Sequence, residues 1–267
     1  MPPVGSCGES SSWKDGSDRK KVVDMEVWGA TDQGMVRKQN QDYYRCQKLG
    51  RGQFLAVVCD GMGGTKSGDV ASRLASEVFL QDVSQTVHPR MEQTEIVSML
   101  VSAVKSANRA VHEQSQVSPD FDGMGTTLVA VFLQDADAYV VNVGDSRCYY
   151  VAGDEVSQIT EDHSVVGLMV SRGQITEEEA RNHPNKNLIT RAVGTEENVE
   201  CDCFYLSMDR GEYLLLCSDG LSNMVSRPEL LYEITHGGGD DNCCQRMIEI
   251  AKKRGAPDNV TAVLMKF

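Results

Sequence analysis

Three apolar runs in this chain stop on an aspartate: FLAVVCDG at Asp60, YVVNVGDS at Asp145 and YLLLCSDG at Asp219. Runs of this length and β-branched content read as strands buried along most of their length. Each therefore delivers a carboxylate to a strand end. Two further β-rich runs begin on the same residue type: Asp42 opens DYYRCQ and Asp258 opens DNVTAVLMKF. In antiparallel neighbours the C-terminal end of one strand lies beside the N-terminal start of the next. The five carboxylates are therefore expected at one edge of a sheet structure.

The other short β-rich runs are Met25–Thr31, Thr126–Leu133, Arg147–Val151 and Cys201–Leu206. Gly50-Arg51-Gly52, Gly153-Asp154 and Asp209-Arg210-Gly211 supply turns between such runs. Two long amphipathic helices are predicted. One starts at Ser67 as N-cap and repeats Val70, Leu74 and Val78; the other spans about 95–113. Later helices are predicted over about 227–235 and 242–254, and two short ones at 163–171 and 176–182, within an inserted flap of about 165–190. Clustered strands with segregated helices predict an α+β fold of antiparallel sheets covered by helices. Residues 1–22, rich in Gly, Ser, Lys and Asp, read as a flexible lead-in to one domain over 23–267.

Five carboxylates at one edge need cations, because like charges raise each other's pKa and cost stability. Hard divalent ions with oxygen ligands remove the difficulty. Two of them about 4 Å apart activate a shared water as a nucleophile near neutral pH. For any one site, Asp-Gly after a strand is ordinary turn chemistry. The recurrence on buried-looking strands is what favours metal binding. Arg37, five residues before Asp42 in TDQGMVRKQNQD, adds a guanidinium suited to gripping phosphate. The net charge of −13 argues against a nucleic-acid partner.

The nine cysteines include a C-x-C pair, Cys201 and Cys203, but no C-x-x-C pair, so a zinc cage is poorly supported and reduced thiols in the cytoplasm are expected. Neither Cys46 nor Cys148 stands in the C-x5-R pattern of thiol phosphatases. No apolar run approaches the ~20 residues of a membrane span. The first residues lack an apolar signal-peptide core.

The motifs run in order over almost the whole chain. Thr31-Asp32-x-Gly34-x-x-Arg37-x-x-Asn40-Gln41-Asp42 comes first, then Asp60-Gly61-Met62-Gly63-Gly64 and Gly68-Asp69-Val70-Ala71-Ser72. Gly123-Met124-Gly125-Thr126-Thr127, Val143-Gly144-Asp145-Ser146-Arg147 and Thr160-x-Asp162-His163-Ser164 follow. His183-Pro184-x-x-Asn187-x-x-Thr190-Arg191-Ala192-x-Gly194, Cys217-Ser218-Asp219-Gly220-Leu221 and Asp258-Asn259-Val260-Thr261 complete the set. In this order the chain resembles the protein phosphatase 2C family of metal-dependent serine/threonine phosphatases, in its bacterial form.

The resemblance implies two antiparallel sheets packed face to face with helices outside, an αββα sandwich. It implies hydrolysis of phosphoserine and phosphothreonine in proteins by a metal-activated water, with no phosphoenzyme. Asp60 would bridge two Mn2+ or Mg2+ ions, with the Gly61 carbonyl on one of them. Asp219 and Asp258 would bind the other, and Asp145 with Asp219 a third, weaker one. Asp42 would support metal-bound water, Arg37 would contact the substrate phosphate, and the flap would help select substrates. A membrane-bound serine/threonine kinase and its targets are the implied substrates, and a monomer is expected. Three positions depart from family patterns: Gln41 replaces a frequent Glu, Met62 stands where eukaryotic members carry His, and Thr65 where many bacterial relatives do.

Two other readings use the same residues. A binding module that lost turnover is opposed by the intact aspartates. A two-metal nuclease is opposed by the acidic charge. Manganese-dependent phosphate release from a phosphopeptide, assayed beside DNA, separates the three.

Overall fold

A computed structural model describes residues 25–64 and 67–267; the proposed lead-in over 1–22 and Thr65 lie outside them. The first sheet orders β1 (Glu26–Asp32), β11 (Val260–Lys266), β10 (Tyr213–Cys217), β7 (Arg147–Ala152) and β8 (Glu155–Gln158). The second orders β2 (Asp42–Gly50), β3 (Gln53–Met62), β5 (Leu128–Gln134), β6 (Asp137–Val143) and β9 (Asp202–Ser207), with β4 (Gly125–Thr126) paired to the end of β3. Every pairing between these strands is antiparallel. The expected run 126–133 is thus broken at Thr127, and β8 is an addition to the expected strands.

Strand periodicity sorts the core into three sandwiched layers. On β3, Leu55, Val57 and Cys59 face helices α1 (Gly68–Thr86) and α2 (Gln93–Ser115), whereas Ala56 and Val58 face the opposite sheet. On β10, Leu214 and Leu216 enter the same intersheet core, while Leu215 and Cys217 face helices α6 (Arg227–His236) and α7 (Cys243–Lys253). Both faces of these strands are buried. That is why their sequences are continuous apolar runs rather than alternating ones.

Ser67 occupies the N-cap of α1, but its hydroxyl donates to the Gly64 carbonyl instead of capping the helix. The buried stripe of α1 is Ala71, Ala75, Phe79 and Val83, small residues followed by larger ones, so α1 lies close to β3. Val70, Leu74 and Val78 flank that stripe and are only partly buried. A reciprocal cap between Glu92 and Glu95 starts α2 two residues before the expected boundary.

The flap carries α3 (Val165–Ser171) and α4 (Glu177–Arg181), capped by Ser164 and Thr176. Ser164 and Ile189 face each other in an antiparallel bridge, and the Val165 N–H donates to the Leu188 carbonyl. The two ends of the flap therefore leave the sandwich side by side.

Candidate active site

The antiparallel register converges the carboxylates from both sheets. Asp42 at the start of β2 pairs directly with Asp60 near the end of β3. Cys217, at the end of β10, pairs with Ala262 near the start of β11. Asp219, at the head of α5 (Asp219–Ser222), and Asp258 therefore meet across that join. Asp145 lies in the turn between β6 and β7. Asp60, Gly61, Asp145, Asp219, Asp258 and Arg37 all line one cavity of about 170 Å³. Asn187 and Ile189 bring the flap's C-terminal arm to its wall.

Asp42 stands behind this cavity and is 5 % exposed. Its Oδ2 accepts hydrogen bonds from Ser218 Oγ and Thr261 Oγ1, both at 2.7 Å. These two hydroxyls belong to the other sheet's strand ends, so the bonds cross the seam of the sandwich. The Asp60 backbone is held too: its N–H donates to Thr127 Oγ1 at 2.9 Å, and its carbonyl accepts from Thr126 Oγ1 at 2.9 Å.

Glycine follows Asp60 and Asp219 for reasons of space. A Cβ on Gly61 would lie 1.9 Å from the Gly68 carbonyl oxygen, and one on Gly220 would lie 1.9 Å from that of Asn259. In both places another backbone passes too close for any side chain.

Electrostatics at the site are unfavourable for bare carboxylates. Burial, then repulsion from Asp42, Asp219, Asp145 and Asp258, pushes the Asp60 carboxyl well above its usual range. Burial and the Asp219 charge do the same to Asp145, partly offset by Arg147. Asp219 is raised by burial and Asp258, against a hydrogen bond with Asp60. Asp42 is pushed up to about 7, chiefly by burial, even with its two hydroxyl donors. One oxygen each of Asp42 and Asp219 is buried without a hydrogen-bond partner. Unpaired oxygens on raised carboxyls are what a cation would satisfy.

Among the described residues, no three His, Cys, Asp or Glu side chains form a ready cage around a single ion.

Arg37 is half exposed, and its Nη2 donates to Asp258 Oδ2 at 2.6 Å. Asn259 secures the loop that presents it. Its Nδ2 donates to the carbonyls of Gln33 and Gln39, at 2.9 and 2.8 Å, and its Oδ1 accepts from the Gln41 N–H at 2.9 Å. Arg147 forms a two-pronged pair with Asp162, at 2.9 Å through Nε and 2.6 Å through Nη2. His163 Nδ1 accepts from the Gly144 N–H, so its Nε2 carries the proton that faces Asp202 Oδ2 at 3.1 Å. Arg191 donates to the other Asp202 oxygen at 2.9 Å. A second cavity, of about 560 Å³, opens beneath the flap and shares Asp145 and Asp219 with the first.

Residues 35–264 match the family described as Protein phosphatase 2C. This chain belongs to the protein phosphatase 2C family. A "Serine/threonine phosphatase stp" of Listeria innocua is 36 % identical over 236 residues, covering 88 % of this chain and 93 % of the relative. The crystal structure of serine/threonine phosphatase Stp1 from Staphylococcus aureus superposes with a TM-score of 0.85 at 33 % identity, over 92 % of this chain and 96 % of that one. The catalytic domain of the serine threonine protein phosphatase PstP, in complex with two manganese ions, superposes with a TM-score of 0.79 at 34 % identity, over 91 % and 97 % of the two chains. The chain is a protein-serine/threonine phosphatase, and its two face-to-face antiparallel sheets flanked by helices are those of the family's solved structures.

The sequence motifs of this phosphatase contained Ser218, Thr261, Asn259, His163 and Arg191 without suggesting what they do. All five act by hydrogen bonding to partners between 11 and 226 residues away in the chain. The signal present in the sequence was their adjacency to the aspartates: Ser218 precedes Asp219 and Asn259 follows Asp258. Among the described residues no helix is long and apolar enough to cross a membrane.

Proposed function

We propose that this phosphatase hydrolyses phosphoserine and phosphothreonine in proteins at the cavity shared by Asp60, Gly61, Asp145, Asp219 and Asp258. The convergence of these raised carboxylates beside Arg37 is the observation that carries the reading. Asp60 and the Gly61 carbonyl would hold one Mn2+ or Mg2+ ion; Asp60, Asp219 and Asp258 the second; Asp145 and Asp219 a weaker third. Bound there, such ions supply positive charge for the phosphate oxygens and activate a water as nucleophile, with no phosphoenzyme. The two manganese ions in the PstP catalytic domain support this assignment.

Asp42 orders water at the site from behind, anchored by Ser218 and Thr261. Arg37 swings from Asp258 to the substrate phosphate. Met62 lines the cavity and has no transferable proton, so leaving-group protonation falls to water. Gln41, whose Nε2 donates to the Gly64 carbonyl, fastens the Asp60–Gly64 segment without adding charge. The reading includes a monomer in the cytoplasm with a serine/threonine kinase among its phosphorylated partners. Its test is phosphate release from a phosphothreonine peptide that requires manganese or magnesium and is lost on chelation. Cleavage of DNA with no action on the peptide would overturn it.

Arg37→Ala is expected to raise KM for phosphopeptide about tenfold to a hundredfold with a smaller fall in kcat, because it removes one charge-assisted grip on phosphate. Steady-state kinetics check this, and unchanged kinetics would make Arg37 a solvated surface residue. Asn259→Ala frees the loop over 33–41 and is expected to raise the same KM about tenfold, at a stability cost of about 2 kcal/mol. Half-saturation by manganese should be unchanged; a shift there instead would place the role of Asn259 in holding Asp258.

A further inference from the structure

We propose that Cys201 and Cys203 form a thiol-modification site that reacts with low-molecular-weight disulfides, closes to an intramolecular disulfide and loosens the contact of Asp202 with His163 and Arg191.

The placement follows from strand alternation. Phe204 and Leu206 of β9 pack on the intersheet core, and Asp202 shares their parity. Cys201 and Cys203 therefore lie together on the opposite face. Cys201 packs against the helix-side core, and Cys203 is exposed. The two side chains hydrogen-bond to each other. β9 is the last strand of its sheet, so only β6 restrains it through ladder bonds.

The pair is also chemically asymmetric. Its mutual hydrogen bond holds the Cys203 thiol below its usual range and raises that of Cys201. The other described thiols are all pushed up, chiefly by burial. Cys203, the exposed member of the pair, is thus the one that meets a solvent-borne disulfide first. Its sulfur attacks one sulfur of a small disulfide RSSR, forms a mixed disulfide and expels RS⁻, which takes up the Cys203 proton from solvent. Cys201, deprotonated to solvent, then attacks the Cys203 sulfur and releases the second thiol. Two protein thiols and one RSSR become one protein disulfide and two RSH.

The product strains the strand start. Residues two apart in a strand are separated by about 6.6 Å, close to the upper limit for disulfide-linked Cα atoms of about 6.8 Å. Bringing the sulfurs to about 2.05 Å contracts and rotates the backbone around Asp202. Asp202 holds Arg191 at 2.9 Å and His163 at 3.1 Å, and His163 in turn receives the Gly144 N–H beside Asp145. A disturbance at Asp202 therefore reaches the turn that carries Asp145.

The test treats the folded, full-length phosphatase with glutathione disulfide and measures peptide mass and phosphopeptide hydrolysis. Expected is a loss of two hydrogens confined to the peptide containing Cys201 and Cys203. Activity should fall about threefold to tenfold, the effect of one weakened, partly buried polar contact, and dithiothreitol should restore it. Cys203→Ser should keep the untreated activity and resist the treatment. Cys201→Ser should stop at the mixed disulfide on residue 203, which also serves if Cys203→Ser folds poorly. A wild-type protein with both thiols still free, a disulfide formed with no change in activity, or equal inhibition of Cys203→Ser would each overturn the proposal.

Discussion

Asp60→Asn leaves a folded protein whose phosphopeptide turnover at saturating manganese falls by about 10³-fold or more, a loss of about 4 kcal/mol of transition-state stabilisation. Asp60 sits between the two halves of the cavity, paired with Asp42 on one side and repelled by Asp219, Asp145 and Asp258 on the other. The amide keeps the shape of the side chain and removes the charge that two ions would share. The same substitution is expected to stabilise the metal-free fold, because a carboxyl raised by burial and like charges opposes folding when ionised.

The sign of the pH dependence follows. Asp60 and Asp42 have folded pKa values above their unfolded ones. Their cost is absent below the unfolded value and grows as pH rises toward the folded one, which for Asp42 is about 7. Metal-free wild type should therefore gain thermal stability on acidification from pH 7 to about 5, and Asp60→Asn should gain less. A soluble Asp60→Asn protein with near wild-type turnover would remove Asp60 from the metal site.

Deleting the flap by joining Ser164 to Leu188 through a short glycine linker is expected to lower kcat/KM for a phosphoprotein about tenfold to a hundredfold. Hydrolysis of p-nitrophenyl phosphate should stay within about threefold, because the chemistry does not need the lost contacts. The join is geometrically mild, since Ser164 already faces Ile189 and Val165 already bonds to Leu188. None of the proposed metal ligands is removed. The deletion takes away the flap side of the 560 Å³ cavity that adjoins Asp145 and Asp219, and leaves the sandwich side in place. Parallel kinetics on both substrates decide the matter. Loss of both activities in a folded, metal-binding variant would make the flap part of the catalytic machinery, and survival of both would leave it without a role in selection.

The β3 and β10 runs were legible because strands buried on two faces spell themselves as unbroken apolar stretches. Antiparallel logic gathers their terminal aspartates at one edge, but which strands are neighbours, and so that Asp42 lies opposite Asp60 and β10 beside β11, comes from the register. Other features were not legible. Asp-Gly reads as turn chemistry in sequence, whereas Gly61 and Gly220 are set by the close passage of Gly68 and Asn259 backbones. The roles of Asn259, Ser218 and His163 depend on partners up to 226 residues away, which no local pattern encodes. On α1 the eye follows Val70, Leu74 and Val78, yet close approach to β3 selects the smaller Ala71 and Ala75 for burial.

β11 lies between β1 and β10, although more than two hundred residues separate it from β1 in the chain. Through Thr261 it also supplies one of the two hydroxyls that steady Asp42, and it begins two residues after Asp258. β1 and β10 therefore gain their shared neighbour only from this late segment. The same segment brings Asp258 to the cavity that Asp60 and Asp219 line. Joining the two outer parts of the sheet and completing the carboxylate cluster thus depend on one stretch of chain.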